Sequence, residues 1–272
     1  MNSVGALEAI TKRDRLVLWT ALAATALLAW TYLVYHARAM SDMASMAGMP
    51  GMADMPGMAE MAHMASPAMR DWSGVDLVLL FAMWAIMMLG MMAPAAAPMI
   101  LLVAAVSRQR SSGGPIPRAL AFAAGYFLVW TGFALVATLA QWGLHEAALL
   151  TPMMRATPSV GGVLLLGAGL FQWAPLKKQC LVHCRSPLAF LIGHWRDGSM
   201  GALAMGARHG VYCVGCCWML MALLFVVGVM NLLWVAAITA FVFVERLAPR
   251  GDIVGRLVGV VLVMAGLVLM LR

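Results

Sequence analysis

The sequence predicts an all-α polytopic membrane protein: a bundle of about seven transmembrane helices with a disordered, methionine-rich outer loop. Three observations lead there. Hydrophobic residues make up 64% of the chain and charged residues 11%, with a mean hydropathy of +0.90, more apolar surface than a soluble domain of 272 residues can hide. The apolar residues fall in runs close to the roughly 20 residues that a helix needs to cross the hydrocarbon core. No run shows the alternating pattern of a membrane strand, so a β-barrel is excluded. The runs lie at about 16–35, 76–106, 118–142, 158–174, 210–229, 231–247 and 254–271.

The first run follows Lys12-Arg13-Asp14-Arg15 and ends at Ala37-Arg38-Ala39, a layout that imitates a signal peptide with a small-residue cleavage site. Its apolar core is longer than the usual ~7–15 residues of a signal, which favours a retained anchor. Residues 1–36 are therefore read as an inner tail plus anchor; six helices remain if that segment is cleaved.

Residues 37–71 form a low-complexity outer segment. Met40, Met43, Met46, Met49, Met52, Met55, Met58, Met61 and Met64 recur every third residue, with Met69 beyond, in a filler of Ala, Gly, Ser and Pro. A three-residue period winds around an α-helix but lines up on polyproline II. Pro50, Pro56 and the glycines oppose a helix, so a disordered or extended segment is expected. Thioethers are neutral soft donors that favour Cu(I), and they bind without losing a proton. The plainer alternative is a linker without chemistry.

Residues 72–272 form the six-helix domain. In its first run Met83, Met87 and Met91 share one helical face, with Met88 and Met92 beside them; they serve either as core filler or as a stripe of ligands. Pro94 and Pro98 predict a kink or break in the inner half. Gly125-Tyr126, Trp130, Gly161-Gly162 and Gly167-Ala168-Gly169 mark close-packed helices, as do the small-xxx-small pairs Gly206/Gly210 and Gly255/Gly259. Pro175-Leu176-Lys177-Lys178 stops the fourth span. Residues 187–195 are too short to cross and lie in the interface, flanked by His194 and His209, which read as surface histidines. Met230-Asn231 is a tight outer turn, and Glu245-Arg246 forms an interfacial ion pair with local neighbours.

All five cysteines sit in two windows. Cys180 and Cys184 are four apart with His183 between them, and Cys213, Cys216 and Cys217 are spaced i, i+3, i+4, so each set turns to one helical face. Thiolates with a histidine suit Cu(I) or Zn(II), and two or three suffice for Cu(I). Isolated cysteines acting as small hydrophobes are the alternative.

Orientation follows from charge. With the N-terminus inside, fourteen of the 18 basic residues fall on the cytoplasmic side, and only Arg38, Arg70, Arg155 and Arg272 fall outside. The C-terminus is then outside, and the net charge of +7 is a topology signal, not a nucleic-acid footprint. No phosphate loop, paired catalytic carboxylates or Ser/His/Asp arrangement is present. An enzyme is therefore not expected, thiol redox chemistry being the one enzymatic alternative.

Several motifs resemble a bacterial family of metal-binding integral membrane proteins catalogued as a domain of unknown function. They are Trp84-x-x-Met87-Met88, Met92-x-Pro94, Gly125-Tyr126, Pro175-Leu176-Lys177-x-x-Cys180-x-x-x-Cys184-Arg185-x-Pro187, Tyr212-Cys213-x-Gly215-Cys216-Cys217-Trp218 and Met230-Asn231-x-x-Trp234. The resemblance covers about residues 72–250. Ala174 stands where that family suggests threonine, and Arg246 where it suggests lysine. The resemblance implies a metal and a membrane; copper is argued from the sulfur donors.

The combined expectation is a protein of the bacterial inner membrane, embedded in the lipid bilayer. It captures Cu(I) at residues 40–69, passes it along the stripe at residues 83–92 and holds it at the cysteines, with His183 as a further ligand. Transport, storage and delivery to a metallochaperone or recipient metalloenzyme all fit. A membrane thiol-disulfide oxidoreductase and a structural Zn(II) site are the rival readings.

Overall fold

The computed structural model describes residues 12–47, 72–110, 114–151, 154–229, 231–248 and 250–271. The described residues form ten helices and no strand, only one bridge between Leu150 and Ala156. They are α1 (Lys12–Ala47), α2 (Gly74–Arg110), α3 (Pro115–Glu146), α4 (Pro158–Phe171), α5 (Pro175–Arg185), α6 (Pro187–His194), α7 (Gly198–Ala222), α8 (Leu224–Val227), α9 (Leu232–Leu247) and α10 (Gly251–Met270).

Local chemistry sets many of the starts. Four helices in a row, α3 to α6, begin with proline, whose fixed φ suits the first turn and whose missing N–H is not needed there. Before α2, the Ser73 backbone N–H and hydroxyl both donate to Asp76 Oδ2, at 2.9 and 2.7 Å, and close the entry turn like a capping box.

Five helical stretches are long and apolar enough to cross a membrane, and a sixth if the bent pair α4–α5 counts as one span. The sixth run, expected over 231–247, is helical but short: α9 has 16 residues, about 24 Å at 1.5 Å per residue. The fourth run also departs from expectation. It stops at Phe171, turns through 63° and continues as α5, and the first cysteine pair rides on this helical arm.

Three further expectations are corrected. Helix α1 continues to Ala47, so the backbone at Met40, Met43 and Met46 is helical, not extended; Met49 to Met64 lie outside the described residues. Pro94 and Pro98 do not break α2, which is one helix of 37 residues. Around the prolines Ala93, Ala96, Ala97 and Met99 are 0–2% exposed, and packing of this kind lets a membrane helix tolerate a missing donor. The fifth run starts at Gly198, well before residue 210, because Leu203 to Gly210 pack against α3 instead of forming a loop.

Helix α7 organises the rest. It lies between α3 and the arm α5, while α2 packs against α1 and α3, and α4 against α10. The α3–α7 crossing is a backbone contact: a Cβ on Gly206 would stand 1.9 Å from Phe122 O. The small-residue spacing read from the sequence is what permits it.

Candidate metal centre

One face of α7 carries His209, Cys213, Cys216, Cys217, Leu220 and Met221, each 2% exposed or less. Their spacing of three and four residues is that of one helical stripe. Helix α5 crosses this stripe because Gly215 leaves room, its missing Cβ falling 2.7 Å from Cys180 Sγ. The crossing brings Cys184 Sγ to 4.0 Å from Cys216 Sγ, joining the two cysteine windows across 32 residues of sequence.

A third element completes the cluster. From α9, Arg246 Nη2 donates to Cys213 Sγ at 2.7 Å and lies 3.5 Å from Cys216 Sγ and 4.0 Å from Cys217 Sγ. Tyr126 Oη of α3 stands 2.9 Å from Cys213 Sγ. Two polar groups, one of them cationic, thus converge on that sulfur, and the surroundings equip it to carry negative charge. The Cys216 and Cys217 thiols both donate to the Cys213 carbonyl, at 3.1 and 2.9 Å, so all three sulfurs of α7 stay on one side.

Next to Arg246 the structure corrects the expected interfacial ion pair. Glu245 pairs with Lys177 instead, Nζ to Oε1 2.6 Å, and both side chains are almost wholly buried. Lys177 also donates to Gln172 Oε1 at the α4–α5 bend. Gly255 of α10 leaves the space this network occupies, since its Cβ would lie 2.5 Å from Glu245 Oε1. Lys177 and Arg246 are therefore not loop charges, and neither bears on orientation as counted from sequence. Buried ionisable groups are paired as a rule, as these are.

The remaining predicted residues are placed as follows. Cys180 lies one turn before Cys184, against Gly215. The His183 ring stacks on Tyr212, centroids 4.2 Å apart, and its Nδ1 faces the Gln179 carbonyl at 2.9 Å. Met83, Met87, Met88, Met91 and Met92 are 0–7% exposed and share one continuous apolar core with the cysteines. His209, read as a surface residue, is 2% exposed, because α7 begins early enough to carry it into the bundle.

A soft ion fits between Cys184 and Cys216. Metal–thiolate bonds of about 2.3 Å place sulfurs about 4.0 Å apart in a trigonal plane and about 3.8 Å apart in a tetrahedron. Among the described residues no three His, Cys, Asp or Glu side chains converge into a finished shell. An open pair of thiolates suits Cu(I), whereas a structural zinc site closes with four ligands. Arg246 would offset the charge that two thiolates around a monovalent ion leave behind.

No curated protein and no solved structure matches the chain. A family model described as a copper chaperone matches residues 81–269, which hold the methionine stripe, all five cysteines and Arg246. Covering well over half of the 272 residues, that match shows that the chain belongs to this copper chaperone family.

Proposed function

We propose that this protein is a membrane-embedded Cu(I) chaperone that holds its cargo between Cys184 and Cys216 and hands it to a copper-requiring partner. The observation that carries the reading is the 4.0 Å approach of these two sulfurs beside the Arg246 guanidinium. Cys213 and Cys217 stand next to the pair as exchange ligands. An ion held by few thiolates is displaced readily by an incoming ligand, which suits delivery better than storage. The outer methionines supply the ion, and the stripe on α2 lies on its way inward. The protein sits in the inner membrane with its N-terminus inside and its C-terminus outside, following the basic residues that remain in loops. It carries and does not catalyse.

The test is metal analysis of the full-length protein purified in detergent with reductant, beside a Cys184→Ser/Cys216→Ser variant. Serine is close in size but its hydroxyl does not replace a thiolate toward a soft ion. Cu(I) in the parent and none in the variant is expected. Equal metal in both removes the pair as ligands, and a disulfide recovered in place of metal favours thiol-disulfide exchange.

A further inference from the structure

His209 stands four residues before Cys213 on the same face of α7 and is 2% exposed. Its ring is boxed by Phe122, Tyr126 and Phe190 at centroid distances of 5.9, 5.8 and 5.2 Å. Its Nδ1 has no hydrogen-bond partner. A buried polar atom left unpaired is costly, and a neutral imidazole nitrogen is a good donor to copper. Tyr126 ties this histidine to the thiols: its ring faces His209 while its hydroxyl lies 2.9 Å from Cys213 Sγ.

One turn further toward the start of α7 comes Met205, also 2% exposed. Met205 accepts the Arg196 backbone N–H at 3.3 Å and forms the wall of a cavity that His194, Arg196 and Arg208 also line. Cys213, His209 and Met205 therefore succeed one another along one helix face, at steps of about 6 Å. The series runs from anionic thiolate through imidazole to thioether, all soft or borderline donors, and ends at an opening.

We propose that His209 is a copper ligand on the exit side of the thiol cluster, taking Cu(I) from the cysteines and passing it through Met205 to this cavity. The proposal rests on the thiols being a Cu(I) site. Each step is a ligand exchange in which copper stays monovalent: first a bond to the His209 nitrogen forms as a bond to a cysteine sulfur breaks, the freed thiolate remaining beside Arg246, and then a bond to the Met205 sulfur forms as the bond to nitrogen breaks. Neutral donors hold the ion more weakly than thiolates, so His209 sets the rate of release and the recipient at the cavity supplies the pull.

The experiment uses full-length protein in detergent with reductant, loaded with Cu(I), and a chromogenic Cu(I) chelator as acceptor. His209→Leu keeps Cu(I) bound at the cysteines with affinity within about twofold of the parent, and slows transfer to the chelator about tenfold. Met205→Leu slows it in the same direction. X-ray absorption of the parent with a second equivalent of Cu(I) shows an imidazole nitrogen scatterer that His209→Leu lacks. Equal transfer rates, or a parent spectrum with sulfur scatterers alone, overturn the proposal; the spectrum decides even if the leucine variant does not insert. A parent that takes up no Cu(I) at all overturns the thiol reading, and this inference with it.

Discussion

Arg246 Nη2 lies 2.7 Å from Cys213 Sγ, so a permanent cation from α9 is hydrogen-bonded to a thiol of α7 inside the bundle. Both side chains are buried, and a soft ion that displaced the protons of this cluster would leave it with negative charge. The guanidinium is thus a partner to the thiols, and its neighbour Glu245 anchors the same helix end to α5 through Lys177.

The first prediction follows from that charge. Arg246→Leu leaves the thiolate charge uncompensated in a low-dielectric site, so Cu(I) affinity falls about 10–100-fold. Arg246→Lys keeps the cation and stays within a few-fold of the parent, about 0.5–1 kcal/mol. Competition against a Cu(I) chelator measures both, and a leucine variant as tight as the parent removes Arg246 from the site.

Lys177 and Glu245 carry the second. Removing one partner of a buried pair strands the other charge, at a cost of about 3–5 kcal/mol, whereas replacing both by apolar residues is often close to neutral. Lys177→Met and Glu245→Leu each lower the unfolding midpoint in detergent, and the Lys177→Met/Glu245→Leu double variant recovers most of the loss. Additive losses in the double variant show that the pair does not act as a unit.

The helical class and the two cysteine windows were legible from residue type and period alone, because bilayer length and i, i+4 spacing are local properties. What joins the windows is not local. Cys184 meets Cys216 only because the chain bends between Phe171 and Pro175, and nothing in the apolar run up to residue 174 marks a turn of 63° except Pro175. Lys177 and Arg246 read as loop charges, since a basic residue at the end of a run normally marks the membrane edge. Their partners, Glu245 and the thiols, lie 68 and about 30 residues away in sequence, and pairing at that range leaves no trace in a single chain. His209 had one usable signal, its place four residues before Cys213, which puts it on the cysteine face of the same helix.

Gly215 supplies the third prediction. With only Cys184 and Cys216 retained, mild oxidation links the two as a disulfide, since sulfurs 4.0 Å apart need only a small rotation to bond. Gly215→Leu pushes α5 off α7, because a Cβ there would already stand 3.6 Å from the Cβ of residue 180, which this background keeps, and the rest of the leucine reaches further; cross-linking falls sharply. Failure of the pair to cross-link in the parent background places α5 elsewhere.

The last prediction concerns the outer methionines, Met43 to Met64, which precede the matched family region that begins at residue 81. A chaperone that holds its ion between Cys184 and Cys216, as proposed, needs them only to gather it. Each thioether is neutral and holds Cu(I) weakly, yet many of them on one tether raise its local concentration beside the membrane domain. Deleting residues 40–69 therefore lowers delivery to a copper enzyme when external copper is scarce, has little effect when copper is plentiful, and leaves Cu(I) affinity at Cys184 and Cys216 unchanged. Replacing the same methionines by leucine reproduces the deletion, because leucine keeps size and apolarity but offers no donor atom. Copper-enzyme activity in cells, measured across a series of external copper levels, separates the outcomes. A leucine variant that matches the parent at every level makes this segment a tether alone and leaves copper entry to the stripe on α2.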